Sequence, residues 1–314
     1  TRLPARCRQG SGHRRAMSDT PITVMIPLGG IGSRFQKEGY TQPKPFVPVL
    51  GEAMILKVLR SMKLDEKDAI VIVYNPEFIP TESWDSVKED YPKLSLVTLP
   101  GPTRGAAETV LIGLKGLNRS LRSRPVLLAD GDTFYDEDVV GKFREVCKES
   151  NAVFYFDDTQ PKPMYSYIKT DESGRILEVK EKVKISDKAN SGCYCFKSGL
   201  ELEDNCKKLL DAQQTQLSQD AVGEYYTSGV IARMLEQGSH FVGLQIDPKK
   251  YHVVGTPSQL EAWCRAHREE TVAKRFWFEI QLRLGFVGFD KANGVYTSEA
   301  SPLSKLDGGS CLKR

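Results

Sequence analysis

The alternation of short apolar runs with longer segments of helical length constrains the fold of this chain most strongly. The runs of strand length lie at 22–27, 69–74, 94–98, 125–129, 152–157, 192–196 and 241–246. The segments of helical length lie at 53–62, 105–117, 137–149, 224–237 and 257–273. Buried strands separated by such segments are typical of parallel sheets. The sequence therefore predicts an α/β fold with a Rossmann-like, mostly parallel twisted sheet and helices on both faces.

Two regions depart from this alternation. Residues 164–180 read as two alternating stretches around a turn at 172–174, which predicts a small β-hairpin lid laid over the sheet edge. Residues 273–314 fit the pattern poorly. We therefore expect a basic tail over 1–20, one folded domain over 21–272 and a C-terminal extension of unassigned structure over 273–314.

The tail carries most of the net positive charge. The first 16 residues contain five arginines and no acidic residue. The rest of the chain has 39 basic residues (44 less these five) against 41 acidic ones, so it lacks the broad basic surface of a nucleic-acid-binding protein. No apolar run approaches the ~20 residues of a membrane-spanning helix. We therefore expect neither a nucleic acid nor a membrane among its partners.

The basic tail and the cysteines bear on location. We expect the tail to be disordered or not native, with Met17 as the true start and an Arg-rich organellar targeting peptide as the alternative. The chain has seven cysteines and no C-x-x-C pair, which predicts reduced thiols rather than a zinc or redox motif. Together these features favour a cytoplasmic protein.

The first predicted strand runs directly into a glycine-rich loop, PLGGIGSRF (27–35). Successive glycines let backbone N–H groups turn inward as a nest for phosphate oxygens, and Arg34 adds a permanently charged donor. Two prolines then stiffen the chain around Lys44 in PKP (43–45). The loop matches neither the dinucleotide fingerprint nor the Walker loop. Taken alone, it also fits a glycine-rich turn beside surface charges.

PLGGIGSRF followed by TQPKPFVPVLGEAMI resembles the opening of the sugar-phosphate nucleotidyltransferase (nucleoside-diphosphate-sugar pyrophosphorylase) family. That family reads G-G-x-G-x-R-[LF] and then P-K-P-[LF]-x-P-[VI]. The resemblance implies that the loop and the arginine hold a triphosphate and that the lysine stabilises charge at the reacting phosphate. It assigns nucleotide binding to Leu28, Gly29, Gly30 and Gly32, and catalysis to Arg34 and Lys44.

Residues 105–112, GAAETVLI, match the family's G-[TL]-A-x-A-[VIL] helix start, where the base lies against small side chains. The resemblance therefore adds Gly105 and Glu108 to the nucleotide-binding residues, with Glu108 in the position of a base-reading side chain. An ionised carboxylate accepts hydrogen bonds only, and every common base offers an N–H donor. The identity of the base therefore stays open.

A predicted strand ends in Asp130-Gly131-Asp132. Carboxylates in this position suit Mg²⁺, a hard cation that takes oxygen ligands and bridges phosphates. The resemblance assigns the metal to Asp132, with Asp130 as an extra candidate ligand. The D-x-D pattern is also the metal motif of many glycosyltransferases, so the motif alone does not separate the two classes.

The stretch 176–196 resembles the family's E-K-P … N-x-G-x-Y-x-F segment, which holds the second substrate. The resemblance implies that Lys182 contacts a sugar phosphate and that Glu181 and Asn190 hold sugar hydroxyls, with Gly192 allowing close approach. Two positions depart from the family pattern: Val183 replaces a proline, and Ser166 follows Tyr165 where the family has glycine.

A third departure affects the metal site. The family's second metal-binding aspartate falls on Val253, which cannot bind Mg²⁺. Three explanations stay open. Asp130 or Asp247 substitutes for the missing carboxylate, or Asp132 and the substrate hold the metal, or catalysis is lost and the domain binds its ligand as a sensor.

We therefore predict an enzyme that joins a nucleotidyl group from a nucleoside triphosphate to a sugar 1-phosphate or similar phosphorylated molecule, releasing pyrophosphate. Its expected cofactor is Mg²⁺. The alternatives are a non-catalytic nucleotide or sugar-phosphate sensor and a GT-A-type glycosyltransferase. The base, the acceptor (phosphocholine included) and the oligomeric state (a homo-oligomer included) stay open.

The segment 274–285 faintly resembles the first strand of haloacid-dehalogenase-type phosphatases. Glu279 and Gln281 occupy the two positions where those enzymes need aspartate. We therefore predict no phosphatase activity and expect a peripheral strand or a partly disordered end.

Overall fold

The computed structural model describes residues 19–217, 223–268, 287–290 and 295–298. The chain divides into two compact units, Thr1–Pro257 and Ser258–Arg314. The predicted basic tail, apart from its last two residues, and the segment 274–285 lie outside the described residues.

Seventeen strands occur in the described residues. In chain order they are β1 (Thr23–Leu28), β2 (Pro48–Val49), β3 (Glu52–Ala53), β4 (Ala69–Tyr74), β5 (Ser95–Thr98), β6 (Val126–Ala129), β7 (Thr133–Tyr135), β8 (Asn151–Asp157), β9 (Ser166–Thr170), β10 (Ile176–Glu181), β11 (Lys188–Phe196), β12 (Gln216–Leu217), β13 (Gly223–Glu224), β14 (Phe241–Gln245), β15 (Tyr251–Val253), β16 (Val287–Asp290) and β17 (Val295–Ser298).

The helices are mostly short. They are α1 (Ser33–Lys37), α2 (Met54–Ser61), α3 (Asp85–Asp90), α4 (Ala106–Lys115), α5 (Arg119–Arg122), α6 (Val139–Val146), α7 (Gly199–Asp211), α8 (Thr227–Glu236) and α9 (257–268). Single 3₁₀ turns cover Lys44–Phe46, Thr81–Trp84 and Pro248–Lys250. In the part of the chain that the structure describes, no helix has both the length and the apolar character needed to cross a bilayer.

Nine strands form one mixed sheet in the first unit. Its main path runs β10-β9-β11-β6-β1-β4-β5, and β8 and β14 extend it from β11. The core β6-β1-β4-β5 is parallel, which confirms the predicted α/β fold with β1 in a central position. By contrast, β11 runs antiparallel to β6 and β8 and makes the sheet mixed.

The predicted hairpin is present as β9 and β10, which pair antiparallel around the turn. It continues the main sheet through β11 instead of lying over its edge. Its outer strand packs against α8. The hairpin therefore forms the end of the sheet path beyond β11.

Helix α4 packs directly on the central strands β1 and β4. Its Val110 and Leu114 are buried, and a side chain at Gly113 would come within 2.5 Å of Val73 on β4. This close approach of helix and sheet holds the start of α4 next to the end of β1.

A buried ion pair closes the amino edge of the sheet. Arg144 on α6 donates to both oxygens of Asp68, at 2.6 and 3.1 Å, and to the carbonyl of Thr20 at 2.8 Å. The backbone N–H groups of Ile22 and Asp65 fill the remaining positions on Asp68. These bonds join α6 to the chain ahead of β1 and β4.

The sequence prediction missed α7, although its signal is present. Leu202, Cys206 and Leu209 recur at helical spacing and are buried, and the Ser198 hydroxyl accepts a hydrogen bond from the N–H of Glu201 as an N-cap. The five described cysteines are free thiols, as predicted for them: Cys147, Cys193, Cys195, Cys206 and Cys264.

In the second unit, β16 and β17 pair as an antiparallel hairpin. Most of helix α9 also belongs to this unit.

Candidate active site

The glycine loop connects β1 to α1 at the carboxyl edge of the sheet. No atom lies within 4 Å of the position that a Cβ would take at Gly30. Gly32 has a φ of 68°, and a Cβ there would meet the Cβ of Lys44 at 2.9 Å. Glycine at position 32 therefore allows the lysine segment to pack against the loop.

Two clefts border this loop. The first, which we call the lysine cleft, is lined by Pro27, Leu28, Gly30, Gly32, Lys44, Pro45, Asp130, Gly131 and Asp132. The second, the arginine cleft, is lined by Pro27, Gly29, Gly30, Thr103, Arg104, Gly105, Ala106, Thr109, Gly223 and Glu224. Because Pro27 and Gly30 line both, a ligand lying across the loop could enter both clefts.

Lys44 begins a 3₁₀ turn between two prolines and reaches into the lysine cleft. Its ammonium nitrogen lies 2.5 Å from Oδ2 of Asp132 and 5.8 Å from the centre of the Phe35 ring. Both partners of this ion pair keep about a quarter of their side-chain surface exposed, 27% for Lys44 and 22% for Asp132. The structure thus brings together two residues that are 88 positions apart in the chain.

Asp130 lies beside this ion pair, just after β6. Its N–H donates to the carbonyl of Gly192 at 3.1 Å, and a Cβ at Gly192 would sit 2.2 Å from its Oδ2. Asp130 is exposed to solvent at the cleft, and partial desolvation by the surrounding protein raises its pKa. The negative charges of Asp132 and Glu181 add to this increase, and Lys44 opposes it.

The donor set of the lysine cleft suits Mg²⁺ held jointly with phosphate. Among the described residues, no group of three or more His, Cys, Asp or Glu side chains could hold a metal. Asp130 and Asp132 remain as two carboxylates in one cleft, which is the protein share that Mg²⁺ commonly takes beside phosphates and water. Asp247 instead caps a 3₁₀ turn and lines neither cleft.

Val253 lies close to these carboxylates. Strand β15 pairs with β7 and sets Val253 opposite Thr133, the residue after Asp132. The N–H of Val254 donates to the carbonyl of Asp132 at 2.9 Å, and a Cβ at Gly255 would come within 2.5 Å of its carboxylate. Strand β15 and the two residues after it therefore run alongside Asp132, and Val253 itself carries no ligand atom and is not among the residues that line the lysine cleft.

The predicted acceptor-binding residues lie where β10 ends and β11 begins. Lys182 has a φ of 53°, and its ammonium donates to the Tyr226 hydroxyl at 3.0 Å. Glu181 accepts a hydrogen bond from the Ser228 hydroxyl at 2.7 Å, and burial raises its pKa. The carbonyl of Gly192 on β11 accepts the N–H of Asp130 at 3.1 Å, so this region adjoins the lysine cleft.

Asn190 is 3% exposed and holds the turn of β11. Its side-chain oxygen accepts the N–H of Gly192 at 2.8 Å. Its side-chain NH₂ group is buried and has no hydrogen-bond partner among the described residues. A buried amide with a spare donor is costly unless a ligand or water satisfies it.

Two predicted site residues lie elsewhere. Arg34 is exposed on α1 and is not among the residues that line either cleft. Glu108 is on α4, where its carboxylate accepts from the N–H, Nε and Nη2 of Arg104 at 2.6, 3.1 and 2.6 Å. These bonds lower the pKa of Glu108, and it is Arg104 that lines the cleft. The assignments of Arg34 and Glu108 therefore stay predictions.

Sequence reasoning assigned no site role to residues 224–228, which it placed at the start of a predicted helix. The N–H of Tyr225 donates to the carbonyl of Arg104 at 3.0 Å, and the carbonyl of Tyr225 accepts from Ala107 at 2.8 Å. Tyr226 and Ser228 contact the acceptor-side residues, and Glu224 lines the arginine cleft. No local motif marks this segment, because its role depends on contacts with residues 44 or more positions away in the chain.

Solved structures share this architecture. A nucleoside-diphosphate-sugar pyrophosphorylase from Vibrio cholerae RC9 is 21% identical, with a TM-score of 0.66, over 77% of this chain and 99% of the other. A Bacillus anthracis protein described as a glucose-1-phosphate thymidylyltransferase, solved in complex with sucrose, is 17% identical, with a TM-score of 0.60, over 79% and 95% of the two chains. These similarities show that the chain has the same α/β fold as both proteins.

The family model described as nucleotidyl transferase matches residues 23–264, which is most of the chain. This chain belongs to the nucleotidyl transferase family. No curated protein sequence matches it significantly.

Proposed function

We propose that the protein transfers a nucleotidyl group from a nucleoside triphosphate to a sugar 1-phosphate, or to a chemically similar phosphorylated molecule, and releases pyrophosphate. The observation that carries this proposal is the pairing of Lys44 with Asp132 in a cleft that shares the glycine loop with the arginine cleft. A base in the arginine cleft and phosphates in the lysine cleft would then lie on either side of one loop. Family membership supports the same reaction class.

The proposed reaction is an in-line displacement. A phosphate oxygen of the acceptor attacks the α-phosphorus, a new P–O bond forms, and the bond to the pyrophosphate breaks. No covalent intermediate and no general base are needed, because the attacking phosphate is already ionised. The protein contributes positioning and neutralisation of charge.

The residues divide between the two anions. Lys44 would leave Asp132 to face the developing charge at the α-phosphate, and Asp130 and Asp132 would hold Mg²⁺. When bound, Mg²⁺ would neutralise phosphate oxygens. On the other side, Lys182 would bind the acceptor phosphate, and Glu181 and the spare Asn190 donor would bind hydroxyl groups. Arg34 would reach the leaving pyrophosphate only if α1 or its own side chain moved.

A nucleotide or sugar-phosphate sensor is the second candidate function. The observation that favours it is Val253, which stands where the family pattern has a second metal-binding aspartate and pairs with Thr133, the residue after Asp132. A sensor needs the clefts for binding but does not need the second carboxylate. A GT-A-type glycosyltransferase has less support, because the glycine loop is suited to a triphosphate.

Pyrophosphate release separates these functions. The purified protein would be incubated with Mg²⁺, each of the four ribonucleoside triphosphates and dTTP, and a panel of sugar 1-phosphates and phosphocholine. We expect release with one base and one acceptor class. Tight binding of both ligands without release would favour the sensor, and glycosyl transfer from a nucleotide sugar would favour the glycosyltransferase.

A further inference from the structure

Arg104 is fixed in the wall of the arginine cleft by three groups. Its Cζ lies 5.2 Å from the centre of the buried Tyr225 ring, which favours a cation–π contact. Its Nε and Nη2 donate to the Glu108 carboxylate. Its backbone carbonyl accepts the N–H of Tyr225. The guanidinium plane is therefore oriented before any ligand arrives.

This arrangement leaves hydrogen-bond donors for the cleft. A guanidinium has five N–H groups and no acceptor. Glu108 takes the Nε–H and one Nη2–H, and none of the described residues accepts a bond from Nη1. Glu108 keeps only 17% of its side-chain surface exposed and does not line the cleft. A base there would meet donors from Arg104 and not the carboxylate of Glu108, and Glu224 is the acidic residue that lines the same cleft.

We propose that Arg104 reads the base of the bound nucleotide and selects bases that carry a ring carbonyl, so that ATP is excluded as the preferred substrate. This inference rests on the proposed function, since it takes the arginine cleft to be the base pocket. Guanine, cytosine, uracil and thymine each offer a carbonyl oxygen to an N–H donor. Adenine has no carbonyl oxygen. If its N1 or N7 accepted one guanidinium N–H, the adjacent amino group of adenine would face another N–H donor.

Glu108 acts in this scheme as a positioning residue. Its two oxygens hold one side of the guanidinium and turn the Nη1 side away from α4. Without the carboxylate, Arg104 would sample other rotamers, and its donors would meet the base less often. The chain thus uses an arginine–glutamate unit where the sequence alone suggested that glutamate reads the base.

Equilibrium binding of ATP, CTP, GTP and UTP, measured by calorimetry with Mg²⁺ and no acceptor, tests this inference. We expect ATP to bind about tenfold more weakly than the best of the other three, since one well-placed guanidinium contact is worth ~1–3 kcal/mol of discrimination. In R104M the ratio of the ATP and best-nucleotide Kd values should fall to within about twofold. In E108Q it should fall partway.

Two further variants isolate the cause. R104K keeps the charge without the planar fork, so it should retain overall affinity for triphosphates but lose the discrimination. R119M removes an exposed arginine from α5, away from the residues that line the cleft, and should leave the ratio unchanged. Retained triphosphate affinity in R104K would also show that a substitution at position 104 does not cause misfolding.

The outcomes separate this inference from the proposed function. ATP binding as tight as that of the other nucleotides, or discrimination that survives in R104M and R104K, overturns the role of Arg104 alone. If none of the four nucleotides binds, the proposed function fails and this inference fails with it.

Discussion

The charged residues at the two edges of the parallel sheet differ in burial and in how fully they are paired. At the amino edge, Asp68 and Arg144 are buried, and four N–H donors surround the carboxylate. At the carboxyl edge, Asp130 and Asp132 lie in an open cleft beside the single ammonium of Lys44. The first arrangement is complete without a ligand. The second places like charges together, which is typical of sites that bind counter-ions or substrates.

This contrast separates stability from function within one sheet. Breaking the amino-edge pair leaves a buried charge uncompensated, so it should affect folding. At the carboxyl edge, replacing Asp130 or Asp132 removes a repulsion between carboxylates as well as an attraction to Lys44. Such changes should therefore affect ligand binding and reaction rate more than folding. Four predictions test this separation: two concern the Asp68–Arg144 pair at the amino edge, and two concern the residues around Asp132 at the carboxyl edge.

The largest expected effect is on stability, from R144M at the amino edge. Removing one partner of a buried pair costs about 3–5 kcal/mol, because Asp68 stays buried without its counter-charge. Urea unfolding should show this loss, while pyrophosphate release per folded molecule stays unchanged. K207M, which breaks an exposed pair with Asp211, is the control and should cost less than about 1 kcal/mol. Equal losses in the two variants would contradict the comparison.

The next effect is on rate, from K44A at the carboxyl edge. Loss of the ammonium group that pairs with Asp132 should slow pyrophosphate release by roughly 100-fold or more. The unfolding midpoint should change little, because the side chain is partly exposed. K88A on α3 removes an exposed lysine as a control. A normal rate in K44A would contradict its assignment.

A smaller effect is expected from V253D, which adds a carboxylate beside Asp132. Because Mg²⁺ affinity rises with the number of carboxylate ligands, the half-saturating Mg²⁺ concentration for pyrophosphate release should fall roughly tenfold. V253N offers a polar side chain of similar size without the charge and should give a much smaller change. If V253D leaves the Mg²⁺ dependence unaltered, position 253 does not contribute to the metal site in this chain.

The smallest expected effect is on the free energy of unfolding at acid pH, from the Asp68–Arg144 pair at the amino edge. Burial alone would raise the pKa of Asp68, but hydrogen bonds from Arg144, Ile22 and Asp65 outweigh it and hold the pKa below its usual range. The unfolded chain therefore binds more protons in acid, and the stability from this pair should be lost as the pH falls below about 4. Urea midpoints measured from pH 5 downward should decline. In R144K, which loses the two-pronged contact, the decline should be shallower.

The sequence was informative where function depends on short segments at strand ends. The glycine loop and the Asp130–Asp132 turn each follow a predicted strand, and parallel strands bring their carboxyl ends to one edge. Their convergence therefore followed from the α/β prediction. The family resemblance, and not a strand end, predicted the role of Lys44. Apolar periodicity also located β1, β4 and α4 within a few residues.

Other features depend on contacts that periodicity does not encode. The pairing of Arg104 with Glu108, the contact of Lys182 with Tyr226 and the β7–β15 pair each need the final packing. The hairpin of β9 and β10 was predicted, but its incorporation into the sheet depends on β11, which reverses the strand direction. Local patterns indicate the type of an element more reliably than its neighbour.

Gly105 lies where the start of α4 meets residues 223–226, and residues from both segments line the arginine cleft. Its φ is 137°, and the backbone of Tyr225 comes within 2.7 Å of the point where any other residue would place its first side-chain carbon. A methyl group there would clash with the Tyr225 backbone and would push residues 223–226 away from the start of α4. The width of the arginine cleft therefore depends on the absence of a Cβ atom at position 105.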